Sequence, residues 1–346
     1  MSTSILEQEI NEQPLAIQRL LDNETEHVRR LAASLRGRFD YVLIAARGTS
    51  DNAARYAQYT FGVYNRLPVA LAAPSLFTLY DRPPLLNGAL VVGISQSGQS
   101  PDIGAVISEA RRQGRPTLAI TNDPASPLAQ AAEEVISLHA GPERAIAATK
   151  TYTTSLTVLA LLSAALAADE ARHVQLRQLP NLMRQTLTGL APLMARAERY
   201  RYMGHCVVIG RGYNFATAFE IALKIKELTR IVAEPYSSAD FRHGPIAMVG
   251  RGFPTLVVAP TDTVADDLRT LVNDLNDLGA ELLLISEDEA LLSRAQLPLP
   301  LPPHIPAWLT PLVAVLPGQC FSLALAQAKG LNPDQPAGLK KVTETL

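Results

Sequence analysis

Twice along this chain, short uninterrupted apolar runs alternate with helical stretches. Tyr41–Ala46 (YVLIAA), Val69–Ala73, Ala89–Ser95 (ALVVGIS), Thr117–Thr121 (TLAIT) and Glu134–His139 read as strands, with helical patterns at Asp51–Tyr64, Ile103–Gln113 and Ser126–Ala132. A strand with one wet face alternates apolar and polar residues. Continuous apolar strands separated by helices instead indicate a parallel sheet covered on both faces. After a long helical region, Ala147 to Arg201, the pattern resumes with strands at His205–Gly210, Thr255–Ala259 and Glu281–Ser286 and helices at Phe215–Thr229 and Val264–Leu278. YVLIAARG at Tyr41–Gly48 aligns with HCVVIGRG at His205–Gly212, each strand ending in Arg-Gly before a helix. The reading is two α/β units related by duplication.

The remaining segments fit around these units. The first forty residues read as helix, with Ile17, Leu20 and Leu21 on one face. Pro-rich Leu297–Pro311 is either an extended edge or a connector before a last helix. A length of 346 residues suits two domains, and 47% hydrophobic against 18% charged residues gives a folded core rather than disorder. Thirty-one Lys+Arg against 33 Asp+Glu leave no basic surplus for nucleic acid. Cys206 and Cys320 are too few for a disulfide scaffold and suggest no zinc cluster; both are expected reduced in the interior of a cytosolic protein. The start, MSTSILEQE, lacks the layout of a secretory signal. Ile305–Ala328 is uncharged and long enough to cross a bilayer, but Pro306, Pro311 and Pro317 interrupt it and Gln319 and Gln327 fit lipid poorly. A buried helix is the better reading there, as it is for Thr151–Ala168.

Three places can carry chemistry. Ser95-Gln96-Ser97-Gly98-Gln99-Ser100 lies where a strand ends and a helix begins, and Gly48-Thr49-Ser50 occupies the corresponding place after the first strand. Hydroxyls, a glycine and backbone N–H groups at a helix start can converge on an anion such as phosphate. The same residues serve equally well as caps and turns. Neither Gly-x-Gly-x-x-Gly nor GxxxxGK[ST] is present, so a dinucleotide or nucleoside triphosphate is not indicated. In the helix Phe215–Thr229, Ala218, Ile221, Ala222, Ile225 and Leu228 form an apolar face, and Lys224 and Glu227 lie three apart on an adjoining strip, where a surface ion pair is the plainest reading. His243 precedes Gly-Pro, a turn signal, and is either a proton carrier on a rigid loop or incidental. Lys340 and Lys341 sit in a polar tail where lysines are ordinarily solvated.

Six segments in a fixed order resemble the double SIS (sugar isomerase) proteins: RGTS at Arg47–Ser50, ISQSGQSPD at Ile94–Asp102, HAGPERAIAATK at His139–Lys150, IALKIKE at Ile221–Glu227, SSADFRHGP at Ser237–Pro245 and NPDQPAGLKKVT at Asn332–Thr343. The nearest likeness is to the isomerase half of glucosamine-6-phosphate synthase and to stand-alone glucosamine-6-phosphate deaminases. The resemblance implies an α/β protein of two flavodoxin-like SIS domains, each a parallel sheet of about five strands, in a homodimer with active sites at the interface. The corresponding division is a helical segment at 1–40, SIS domains at 41–190 and 191–330, and an active-site tail at 331–346. By the same resemblance Ser50, Ser95, Gln96, Ser97 and Ser100 hold a sugar phosphate, and Glu227 moves a proton between C1 and C2. His243 assists ring opening, Lys224 stands beside the base, and Lys341 forms an imine with an open-chain ketose. No metal or redox cofactor is required.

The expected activity is conversion of glucosamine 6-phosphate to fructose 6-phosphate and ammonia in the cytoplasm. Glutamine-driven synthesis is not expected, because the chain opens Met1-Ser2 and goes directly into SIS sequence. Ala148 stands where the synthase has a serine, which leaves open a deaminase or deglycase of galactosamine 6-phosphate or a fructosamine phosphate. The alternative of another class is a non-catalytic sugar-phosphate-binding regulator. Neither nucleic acid nor membrane is an expected partner, and the tail is expected to be mobile until it closes over substrate.

Overall fold

The computed structural model describes residues 3–341. One sheet is built from β1 (Tyr41–Ala45), β2 (Val69–Leu71), β3 (Ala89–Ile94), β4 (Thr117–Thr121) and β5 (Glu134–Ser137), in the order β2-β1-β3-β4-β5. A second contains β6 (His205–Gly210), β7 (Val232–Ser237), β8 (Pro254–Val258), β9 (Glu281–Ser286) and β10 (Leu297–Pro300), in the order β10-β9-β8-β6-β7. All pairings are parallel. Counted within its own set, each sheet runs second, first, third, fourth, fifth, which is the flavodoxin-like doubly wound order. Two copies of one α/β fold are present, as the aligned Arg-Gly strands require.

Burial explains the apolar runs. Every residue of β3, the middle strand of its sheet, is buried, so ALVVGI has no polar alternation. The principal helices are α1 (Ile5–Leu35), α2 (Thr49–Asn65), α3 (Pro101–Arg112), α4 (Lys150–Leu166), α5 (Phe215–Thr229), α6 (Ala265–Asp277) and α7 (Thr310–Ala328). Contacts divide the chain into two compact units. The first holds Glu12–Glu143 and Lys150–Gln178, with Lys340 and Lys341. The second holds Arg144–Thr149 and Leu179–Leu339, with residues 3–11.

Two buried helices are made possible by local chemistry. α4 opens KTYTTS yet is buried almost throughout. Its hydroxyls donate to carbonyls one turn back, Thr154 to Lys150 at 2.9 Å, Ser155 to Thr151 at 2.6 Å and Thr157 to Thr153 at 2.8 Å. Ala307–Ala328 is long and apolar enough to cross a membrane, but 89% of its apolar window is buried. α7, which makes up most of it, is a core helix of the second unit. Gly318 lets it approach α5, since a Cβ there would lie 2.3 Å from Ile221 Cγ1.

Three element readings change. β7 carries Glu234 and Pro235 and shows no apolar run; it is an edge strand, where proline and half-exposure are tolerated. The Pro-rich stretch is both alternatives in turn: β10 is the opposite edge, and a loop and the short turn Ala307–Leu309 then lead into α7. The helical region from Ala147 to Arg201 is not continuous. Ala168 adopts φ 52, and Asp169 caps a new helix by accepting from Arg172 N.

Candidate functional site

In an open parallel sheet a crevice forms where neighbouring strands send their connections to opposite faces, here between β1 and β3. The loop leaving β3 contains Ser95 to Ser100, and Ser50 lies in the first turn of α2 just after β1, so all five binding candidates lie at one carboxyl edge of the first unit. Ser95 Oγ accepts from Gly98 N at 3.1 Å and lies 3.5 Å from Ser100 Oγ, while Ser97 Oγ accepts from Gln99 N at 3.3 Å. The loop is tied to the exit of β4: the Gln96 carbonyl accepts from Asn122 N at 3.1 Å and Thr121 Oγ1 at 3.3 Å. Gly98 has φ 63, and a Cβ on it would fall 2.1 Å from Ser126 Oγ, so this turn requires glycine. Ser100 stands at the N-cap of α3 without using its side chain as a cap, which leaves that hydroxyl for another acceptor or donor.

Arg47, which the sequence reading did not single out, joins this edge. Its Nε donates to Asp102 Oδ2 at 2.9 Å; the aspartate is fully buried and the arginine side chain is 51% exposed. Hydroxyls, two helix starts and a half-exposed guanidinium thus lie at this edge, groups that can bind an anion. The signals in the sequence were the repeated Arg-Gly and the RGTS segment that opens with this arginine. Asp51 opposes an anion here; burial raises its carboxyl pKa, against the pull of Arg55 at 3.1 Å.

The second unit repeats the Arg-Gly turn but not the serine loop. Arg211 Nε stands 4.0 Å from Asp267 Oδ2 as Arg47 stands to Asp102. However, β8 runs into Ala259-Pro260-Thr261-Asp262 instead of a serine loop. Burial raises the Asp262 carboxyl pKa, and the nearby Glu287 charge adds to this. Among the described residues, the serine loop belongs to the first edge.

The second unit also carries Lys224 and Glu227 on α5. The surface-pair reading does not hold, because Lys224 is fully buried. Its Nζ lies 2.5 Å from Glu227 Oε2 and 3.4 Å from Glu220 Oε1, with Glu220 buried and the Glu227 side chain 22% exposed. A buried ammonium thus holds one carboxylate in the interior and one at the surface. His243 is the exposed C-cap residue of the short helix Ser238–Arg242, followed by Gly244 at φ 130. Ala148 is partly exposed in the second unit. In the first unit Lys341 Nζ donates to Glu143 Oε2 at 3.2 Å, and Lys340 is exposed. Glu143 lies within HAGPERAIAATK, but nothing in the sequence marked it as a partner of the tail.

A family model of the SIS domain matches residues 40–165 and 201–328, one match over each sheet. The chain belongs to the SIS domain family. This SIS protein is 31% identical over 338 residues to the glutamine–fructose-6-phosphate aminotransferase (isomerizing) of Pyrococcus horikoshii, an alignment covering 96% of this chain and 56% of that protein. It therefore spans little more than half the length of the curated relatives it matches. Among solved structures, a protein assigned as a phosphosugar isomerase from Silicibacter pomeroyi superposes with TM-score 0.86 at 36% identity, covering 96% of this chain and 100% of the other. Glucosamine-6-phosphate deaminase from Thermotoga maritima superposes with TM-score 0.78 at 22% identity, covering 99% and 100%, a likeness of fold.

Proposed function

We propose that this SIS protein is a cytoplasmic aldose–ketose isomerase and deaminase of an amino-sugar phosphate, converting glucosamine 6-phosphate and water to fructose 6-phosphate and ammonia without glutamine. The observation that carries the reading is Glu227, a carboxylate held by a buried ammonium yet open to solvent. Aldose–ketose interconversion removes a proton beside a carbonyl and returns it one carbon away, so one carboxylate can serve both carbons. The enolamine between them is stabilised by a nearby cation, the role given to Lys224. Ser50, Ser95, Gln96, Ser97 and Ser100 hold the phosphate, with Arg47 adding charge. His243 assists ring opening from an exposed position suited to the interface of a homodimer, and Lys341 takes the ketose as an imine.

The test is ammonia release from glucosamine 6-phosphate, galactosamine 6-phosphate and a fructosamine phosphate, with unphosphorylated glucosamine as control. Turnover confined to glucosamine 6-phosphate supports the proposal. Ala148, which lacks the hydroxyl that would help fix the sugar, favours the second reading, and preference for either other phosphate would establish it. Binding of all three without turnover would leave a sugar-phosphate-binding regulator.

A further inference from the structure

Glu143 is an unusual partner for a tail lysine. Its side chain is fully removed from solvent, whereas that of Lys341 is 25% exposed. It is also fixed from behind: Thr151, in the first turn of α4, donates its N–H to Oε1 at 3.1 Å and its hydroxyl to Oε2 at 2.7 Å. The nearby Lys150 ammonium is engaged by Glu12 Oε2 and the Pro142 carbonyl, both at 2.7 Å, and Arg144 is exposed. Among the described residues of the tail, Lys341 meets this carboxylate. A lysine that needed only an anchor would be served by an exposed carboxylate, without the cost of burying one.

We propose that Glu143 is the general base and then the general acid for imine formation at Lys341. This rests on the role given to Lys341 above. An ammonium cannot attack a carbonyl, so Lys341 first passes a proton to Glu143, leaving a neutral amine and a neutral carboxylic acid. Exclusion of water by bound sugar phosphate favours that transfer, because it removes two charges from a low-dielectric site. Nζ then bonds to C2 of the ketose, and a proton moves from nitrogen to oxygen to give the carbinolamine. Glu143 returns its proton to the C2 hydroxyl, which leaves as water as the C=N bond forms. The products are a protonated imine, one water and the original carboxylate, with the charge unchanged.

The test uses the full chain and fructose 6-phosphate as probe, with timed samples quenched in borohydride and the reduced adduct read by intact mass. Glu143→Gln keeps shape but neither accepts nor returns the proton. It is expected to slow adduct formation at neutral pH by on the order of 10²–10⁴-fold, with sugar binding unchanged. Its rate should climb about tenfold per pH unit as the solution is made alkaline, because only bulk base can then free the amine. Glu143→Asp keeps the carboxylate, so it should trap more slowly than the parent but without that climb. It carries the test should the Gln variant fail to fold; a Gln-like climb in it overturns the proposal. A Glu143→Gln protein that traps as fast as the parent, or faster, also overturns it and leaves the role of Lys341 standing. A parent that forms no adduct, or one unchanged by Lys341→Ala, overturns both.

Discussion

Under the proposed function Glu227 returns a proton one carbon from where it took it, which needs an oxygen open to substrate and a fixed position, and the groups around it supply both. Lys224 fixes one oxygen, while Glu220 gives the buried ammonium a second carboxylate that never reaches solvent. Glu227→Gln therefore leaves Lys224 paired, and the chain should fold normally. Turnover should fall on the order of 10²–10⁴-fold with substrate binding retained. Near-normal kcat in that variant would reduce the residue to an ion-pair partner. Glu220→Gln should lower Tm more than Glu227→Gln, since it alters the buried half of the arrangement. Ser97→Ala should chiefly raise KM, because ground state and transition state both carry the phosphate; a fall in kcat at constant KM would remove Ser97 from phosphate binding. The serine loop was legible because its parts are contiguous in sequence. Arg47 with Asp102, and Glu143 with Lys341, were not, because each pair is assembled by the fold from separated segments.

At the scale of elements, periodicity revealed what is buried and missed what is half-buried. β3 and α5 announced themselves through apolar faces, whereas the edge strand β7 borrows its hydrogen bonds from β6 and needs no apolar run. The cap of α1 was equally invisible: Asp334, far along the chain, accepts from Ile5 N at 3.0 Å and Leu6 N at 2.8 Å. A carboxylate on these otherwise unpaired N–H groups also complements the helix dipole. Asp334→Ala should cost about 1 kcal/mol in urea unfolding, and unchanged stability would show that water or Ser4 caps the helix as well. At β9, Arg199 at 2.7 Å and the Tyr200 hydroxyl at 3.1 Å hold the Glu281 carboxyl below its usual range. A carboxylate held low in the folded state favours folding above its unfolded pKa, about 4.3, and loses that contribution as pH falls through its folded value. The stability gap between the parent and Glu281→Gln should therefore be open at neutral pH and close below about pH 4. A gap independent of pH would assign it to packing.

For the whole molecule, the two units supply similar frames, and among the described residues the serine loop lies in the first. The tail separates two jobs that a deletion series can resolve. Asp334 and the buried Pro336 belong to the second unit, where Asp334 caps α1; residues 337–340 are exposed, and Lys341 counts with the first unit through Glu143. Residues 342–346 lie outside the described part of the chain. Deleting 337–346 removes the Lys341–Glu143 pair but leaves Asp334 on α1, so the chain should stay folded while ammonia release is lost. Extending the deletion to 331–346 also removes Asp334 and should lower Tm through the start of α1. Lys341→Ala should match the shorter deletion in activity, whereas Lys340→Ala, at an exposed position, should be mild. If the shorter deletion keeps its activity, the tail has no part in the chemistry. If it unfolds instead, the tail stabilises the fold, and the role of Lys341 then rests on the point substitution alone.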